Sequence, residues 1–424
     1  MLRRSSFLFG AAFSCLTLLL VTDAWAVSKV KILHTFQGGK DGARPWATLL
    51  LDDKTGTLYG TTEDGGNQSC QNSFDTGCGI VFSLTPSGTG WKYRVLYRFQ
   101  GGDDGGDPRA PLVTRPDGYF YSTTTGGGGS GCNGYGCGTA FRIKPGTWTE
   151  EVLLGFSSYQ KGWYPQGKIA FDRKGNLYGL TVSAGTDADG VAFELTPNVA
   201  GKWKETILYD NAGLPYAGVI IDHLGNVYGT TDANGMYHEG SVFELSHGKR
   251  GWQYTDIYSF QDPCGTFCGG TQPGDLTADE NGNFFGFAAL AGLAGCGNGY
   301  GCGTVFEMTE NEGTWQENTL YQFRDSADGW GPGYGAPTFD RAGNLYGATQ
   351  AGGKHGFGTV FKLSPVKGGW KKTTLYSFPG GAGGAEPIGG LVVGRQGNIF
   401  GTTYIGGVQH CKGQGCGIVF EITP

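Results

Sequence analysis

The sequence predicts an all-β protein, a seven-bladed β-propeller built from four-stranded antiparallel blades. Three observations carry that prediction. The hexapeptide NLYGTT recurs as TLYGTT around Gly60, NLYGLT around Gly179, NVYGTT around Gly229, NLYGAT around Gly347 and NIFGTT around Gly401, with blurred copies at Ser122 and Gly286. Three further phrases accompany it in fixed order, so the chain is one unit written seven times. The chain also starts on the last phrase of a unit, VKILHTF, and stops on its third, GIVFEITP.

Each phrase reads as one short strand. Strand A is an apolar stretch closed by D-x-x-G-N, as in IAFDRKGN, VIIDHLGN and PTFDRAGN. Gly and Asn accept positive φ, so this ending turns the chain tightly into strand B, the NLYGTT phrase. Strand C is GIVFSLTP and its echoes GTAFRIKP, GVAFELTP, GSVFELSH, GTVFEMTE, GTVFKLSP and GIVFEITP, which alternate as a half-buried strand does. Strand D starts at a tryptophan (Trp91, Trp148, Trp203, Trp252, Trp315, Trp370) and ends in LYxF or a variant of it. None of the four is long enough for a helix. The repeated aromatics, including Phe82, Phe141, Phe193, Phe243, Phe306, Phe361 and Phe420, belong to packing between blades.

Four strands per unit give a propeller, and the split ends choose it over a linear solenoid, which needs polar caps on its terminal repeats. The last blade takes strands A, B and C from the C-terminal residues and strand D from residues 30–36, so the ring closes and no edge stays open.

The first 26 residues read as a secretory leader: Arg3 and Arg4, an apolar run from Phe7 to Val21, then Ala24-Trp25-Ala26 as a cleavage site. Residues 27–424 then form one propeller domain, secreted or periplasmic, with no membrane attachment after cleavage. The ten cysteines outside the leader fall in close pairs: Cys70 with Cys78, Cys132 with Cys137, Cys264 with Cys268, Cys296 with Cys302, Cys411 with Cys416. In an exported chain such pairs read as local disulfides. No C-x-x-C pair and no histidine at a fixed offset accompanies them, so neither a metal nor a cofactor is expected. The formal charge of −6 carries no basic run, which argues against a nucleic-acid partner.

The phrases GNLYGTT, GTVFKL and LYSF, with a D-G-x-x-P turn, resemble the GloVer tandem-repeat family of exported bacterial proteins over nearly the whole chain beyond the leader. The resemblance implies a secreted bacterial propeller. It brings no activity and no catalytic residue with it.

The loops divide by connection. The A to B and C to D joins are short, whereas the B to C and D to A joins carry Gly-rich insertions and all five cysteine pairs. Both long joins leave a four-stranded meander on the same face, and loops held on a rigid scaffold are where ligands bind. At the head of strand A one position varies between otherwise similar units: Trp46, Arg109, Gln166, Tyr216, Pro273, Tyr334 and Ile388, with a one-residue adjustment in units five and six. Strand A is innermost, so this column should ring the mouth of the central channel. Trp46, Tyr216, Tyr334 and nearby Trp163 and Trp330 offer stacking faces and Arg109 a fork of donors, a set suited to sugars; the same rings could instead plug the mouth.

The expected function is therefore a module that binds a glycan or an extracellular protein through the elaborated face. The alternative is a polysaccharide lyase or glycoside hydrolase at the same mouth, with Tyr237, His238 and His355 in the B to C loops as its acid and base candidates. Convergence of those side chains with Tyr, Arg or a carboxylate in one concavity would favour the enzyme. Carboxylates in the D to A loops, such as Asp41, Asp104 and Asp328, are read as turn formers.

Overall fold

A computed structural model describes residues 28–70, 77–129, 131–158, 161–185, 187–198, 202–261, 271–296 and 300–424. The expected leader and the proposed Cys264 and Cys268 pair lie outside the described residues. Seven antiparallel four-stranded blades form the ring, the sixth with an extra short strand at Trp330–Pro332, and no α-helix occurs among the described residues. Blade 1, for example, comprises Leu50–Asp52, Thr57–Thr62, Ile80–Ser87 and Gly90–Arg98. Blade 7 takes Val392–Val393, Ile399–Thr403 and Ile418–Thr423 from one end of the chain and Lys29–Thr35 from the other. These outer two strands pair antiparallel from Lys29 opposite Thr423 to Thr35 opposite Ile418, as the split phrases require.

The structure explains NLYGTT letter by letter. In blade 3 the turn-closing Asp172 accepts the backbone N–H groups of Lys174 and Asn176 at 2.8 and 2.9 Å, and Asn176 Nδ2 donates back at 3.0 Å. The Tyr178 hydroxyl donates to Glu194 of strand C at 2.9 Å. The glycine sits directly opposite the strand C phenylalanine, Gly60 against Phe82 and Gly347 against Phe361. A Cβ on Gly60 would fall 2.5 Å from the Phe82 ring, so the position must stay small. The first threonine reaches the next blade, Thr123 donating to Pro165 O at 3.0 Å and Thr230 to Pro273 O at 3.2 Å. The second ties the following loop, Thr403 donating to Ile405 O at 2.9 Å.

Blades lock together through the LYxF phenylalanine, which meets the strand C phenylalanine of the next blade edge to face. Phe36 on Phe82, Phe99 on Phe141, Phe156 on Phe193, Phe260 on Phe306, Phe323 on Phe361 and Phe378 on Phe420 have centroids 5.1 to 5.3 Å apart. Between blades 3 and 4 Asn211 takes that place, and Phe243 packs on Tyr254 instead. In strand D the residue before the LYxF tyrosine is a β-bulge: Tyr97 pairs with Val81 and Val95 with Phe82, leaving Leu96 over.

The inner strands are short and close. Val219 N donates to Lys168 O at 2.9 Å, Gly218 N to Asp275 Oδ1 at 2.6 Å and Asp275 N to Tyr334 O at 2.8 Å. Tyr334 N donates to Ile388 O at 3.1 Å and Gly390 N to Thr48 Oγ1 at 2.8 Å. These bonds string blades 3, 4, 5, 6, 7 and 1 into an arc. Glycines permit the approach: a Cβ on Gly167 would lie 2.2 Å from Ala217 O.

Among the described residues four disulfides, Cys70–Cys78, Cys132–Cys137, Cys296–Cys302 and Cys411–Cys416, join neighbouring cysteines, all in B to C loops. They fit an oxidising extracellular or periplasmic environment. No helix among the described residues is long and apolar enough to cross a membrane. The long loops share one face, since D to A residues bridge to B to C residues at Ala43 with Asp64, Trp163 with Ser183 and Ala385 with Ile405. The loop carboxylates Asp41 and Asp104 do form turns, accepting Gln37 N at 2.9 Å and Gln100 N at 2.6 Å.

Candidate functional site

At the head of every strand A stands a proline: Pro45, Pro108, Pro165, Pro215, Pro273, Pro332 and Pro387. Each follows a residue at positive φ, Arg44, Asp107, Tyr164, Leu214, Gln272, Gly331 and Glu386, with φ between 47° and 63°. This frame corrects the mouth column in blades 5 and 6. Pro273 belongs to the proline ring, and its blade supplies Gly274 to the column; blade 6 supplies Gly333. Tyr334 lies one residue further in, level with Ala47, Ala110 and Ala217. Trp163 and Trp330 precede their prolines by two residues and pack half-buried on the interblade clusters of blades 2–3 and 5–6.

Trp46, Arg109 and Tyr334, from blades 1, 2 and 6, do come together. The Trp46 and Tyr334 rings stack at 5.8 Å with a 22° interplanar angle, and the Arg109 guanidinium lies 5.3 Å from the Trp46 centroid. Tyr404 of blade 7 meets Trp46 edge-on at 5.4 Å. Tyr216 is the exposed member, at 40%. The Tyr334 hydroxyl donates to Gln272 Oε1 at 3.4 Å.

The sequence reading missed a second ring, formed by the residue after NLYGTT: Glu63, Thr125, Val182, Asp232, Ala289, Gln350 and Tyr404. Its variation inside a repeated phrase was the available signal. Glu63 accepts from Arg109 Nη2 at 2.6 Å on Oε1 and from the Tyr404 hydroxyl at 3.2 Å on Oε2. Arg109 Nε also donates to Asp107 Oδ1 at 3.4 Å, and Arg44 Nη1 pairs with Asp64 Oδ2 at 3.2 Å. Burial, then the charge of Asp107, pushes the Glu63 carboxyl up to about 8 against the pull of Arg109. Burial alone lifts Asp232 to about 7.

A carboxyl whose pKa is raised by folding costs stability once the pH exceeds its unfolded value, and the cost grows until the folded pKa is passed. Glu63 and Asp232, with Glu150 (up to about 8, by burial and then Asp104) and Glu205 (up to about 7, by burial) on the D strands, all act in this direction. Thermal stability is therefore expected to fall as pH rises from about 4 to 8, by on the order of a few kcal/mol. A melting temperature equal at pH 5 and pH 8 would refute this.

The proposed acid and base residues do not join the mouth. Tyr237, His238 and His355 are exposed in their B to C loops. Among the described residues no group of three or more His, Cys, Asp or Glu side chains is arranged to hold a metal ion. Below the mouth, strands A line a cavity of about 360 Å³ walled by Thr48, Leu50, Val113, Lys168, Asp275 and Thr338, among others.

The Gloeobacter/Verrucomicrobia repeat model matches residues 21–210, 130–298 and 272–424. No curated protein matches the chain. Among solved structures, virginiamycin B lyase from Staphylococcus aureus is similar at 12% identity over 94% of this chain and 99% of that one, TM-score 0.57. A streptogramin B lyase matches at 11% identity over 95% and 99%, TM-score 0.58. The periplasmic gluconolactonase of Pseudomonas aeruginosa matches at 14% over 83% and 96%, TM-score 0.50. At these identities the likeness is one of fold.

Proposed function

The chain belongs to the Gloeobacter/Verrucomicrobia repeat family, and from that premise we propose that it is a secreted binding module that takes a glycan at the channel mouth. The observation that supports this reading is the convergence of Trp46, Tyr334 and Arg109 from three blades beside exposed Tyr216. Flat aromatic faces suit the apolar faces of sugar rings, while adjacent polar groups suit their hydroxyls.

The charge arrangement narrows the ligand. Arg109 is engaged by Glu63 and Asp107, and Arg44 by Asp64, so neither guanidinium is a ready partner for an acidic sugar. A neutral or amine-bearing glycan fits better than a uronic acid. The lyase or hydrolase alternative draws no support from the loop residues, which are scattered and solvated. Glu63, whose raised pKa would suit a general acid, has a side chain only 1% exposed and both oxygens bonded.

A glycan array with the full chain tests the proposal, followed by titrations of variants. Tyr216→Ala and Trp46→Ala are expected to weaken binding about tenfold or more each, with little change in melting temperature. Arg109→Ala is a poor probe, because it strands Glu63 and Asp107 without their cation. Wild-type affinity in both aromatic variants would sink the site.

A further inference from the structure

We propose that the mouth contains an ammonium subsite, in which the Asp232 carboxylate, in the ring of residues that follows NLYGTT and on the same mouth as Tyr216 and Tyr334, takes the positively charged amine of an amino sugar. The inference rests on the glycan-binding reading and adds the chemical class of the ligand.

Repeat position places Asp232 first. It follows NVYGTT in blade 4, as Glu63 follows TLYGTT in blade 1 and Tyr404 follows NIFGTT in blade 7, and those two meet at the mouth at 3.2 Å. Asp232 is anchored by its backbone N–H, which donates to Gly213 O at 3.0 Å, three residues before Tyr216. Its negative charge is close enough to hold the hydroxyls of both Tyr216 and Tyr334 above the usual phenol range, behind burial as the main cause. The Tyr334 ring in turn stacks on Trp46.

Charge accounting then isolates Asp232. Glu63 and Asp107 share Arg109, and Asp64 has Arg44. Among the described residues no donor reaches the Asp232 carboxyl, although it is largely enclosed and raised to about 7 by burial. An enclosed carboxylate without a partner is unfavourable, and a bound cation supplies the partner. Aromatic rings around a cation add attraction through their negative faces, the arrangement by which ammonium groups are recognised. The two guanidiniums across the mouth do not oppose this, since each is offset by a carboxylate at hydrogen-bond range.

The test titrates the full chain calorimetrically with glucosamine tetrasaccharide, its N-acetylated counterpart, choline, and 3,3-dimethylbutan-1-ol as the uncharged isostere of choline. The free-amine tetrasaccharide is expected to bind about tenfold tighter than the acetylated form, and choline to bind where the isostere does not. Asp232→Asn and the exposed Tyr216→Ala should each lose about tenfold for both charged probes; Tyr216→Ala should melt as wild type does, and Asp232→Asn at least as high, since it removes an enclosed carboxylate whose ionisation costs stability. Choline binding tighter than the tetrasaccharide would support the subsite and assign it to a methylammonium headgroup. Equal binding of choline and its isostere, or wild-type affinity in Asp232→Asn, would overturn it. Array binding of neutral glycans with no response to either charged probe would overturn the subsite and leave the glycan-binding reading standing. Choline binding without any array hit would overturn the glycan-binding reading and, with it, the amino-sugar assignment.

Discussion

A chain lacking residues 29–36 is expected to lose cooperative folding, or to melt with most of its stability gone. That segment does two jobs in different places. Lys29–Thr35 covers the outer edge of blade 7 by pairing with Ile418–Thr423, and Phe36, fully buried, then seats on Phe82 of blade 1. Burying one phenylalanine contributes roughly 1.5–3 kcal/mol and an edge-to-face pair about 0.5–1.5 more. With Val30 and Leu33 packed on the flanking clusters the loss reaches at least ~5 kcal/mol, against a usual total of about 5–15. Circular dichroism melts of the deleted and intact chains decide it. Superimposable curves would show that the ring does not depend on this strand.

Phe361→Ala is the second large effect, expected to cost about 3–5 kcal/mol by opening a cavity at the junction of blades 5 and 6. Phe361 is fully buried and touches Phe323 at 5.3 Å and Phe287 at 6.0 Å. Its cross-strand partner sets the complementary expectation. Gly347→Ala would thrust a Cβ to within 2.5 Å of Phe287 and 2.6 Å of Phe361, and should destabilise by overpacking, about 1–3 kcal/mol. Blade 2 shows what a side chain there requires: Ser122 bonds its hydroxyl to Ala110 O at 3.0 Å and Pro111 O at 3.1 Å. Denaturant titration of both variants is the measurement. A Phe361→Ala protein within 1 kcal/mol of wild type would mean the phenylalanines are not the interblade core.

The fold was legible because the signal repeats. A phrase such as NLYGTT encodes a turn clamp, a core leucine, a glycine opposite phenylalanine and two hydroxyl ties, and every blade needs nearly all of them. The closing strand was legible for the same reason, since VKILHTF carries the LYxF pattern with His34 in the tyrosine place. The site was harder to read because it sits where the repeat varies. Trp46, Arg109 and Tyr334 were picked out and do converge, yet Tyr334 was placed one residue out of register, because hydrophobicity does not set the frame where the D to A phrases of units 5 and 6 depart from the common spacing. The proline in every unit does set it, through the positive-φ residue before each one. Glu63, Asp232 and Tyr404 escaped notice because they directly follow the most regular phrase and look like its tail. Only the folded ring, which brings Tyr404 against Glu63 from the far end of the chain, shows that this position meets across blades.

The hydrogen-bonded arc of strand heads beneath the mouth has a consequence for how any ligand is met. Five bonds of 2.6 to 3.1 Å tie the strand A heads of six blades to their neighbours, so they move as one stiff frame rather than as separate blades. Side chains carried on such a frame are already in place before anything binds, which leaves little ordering cost to be met on association.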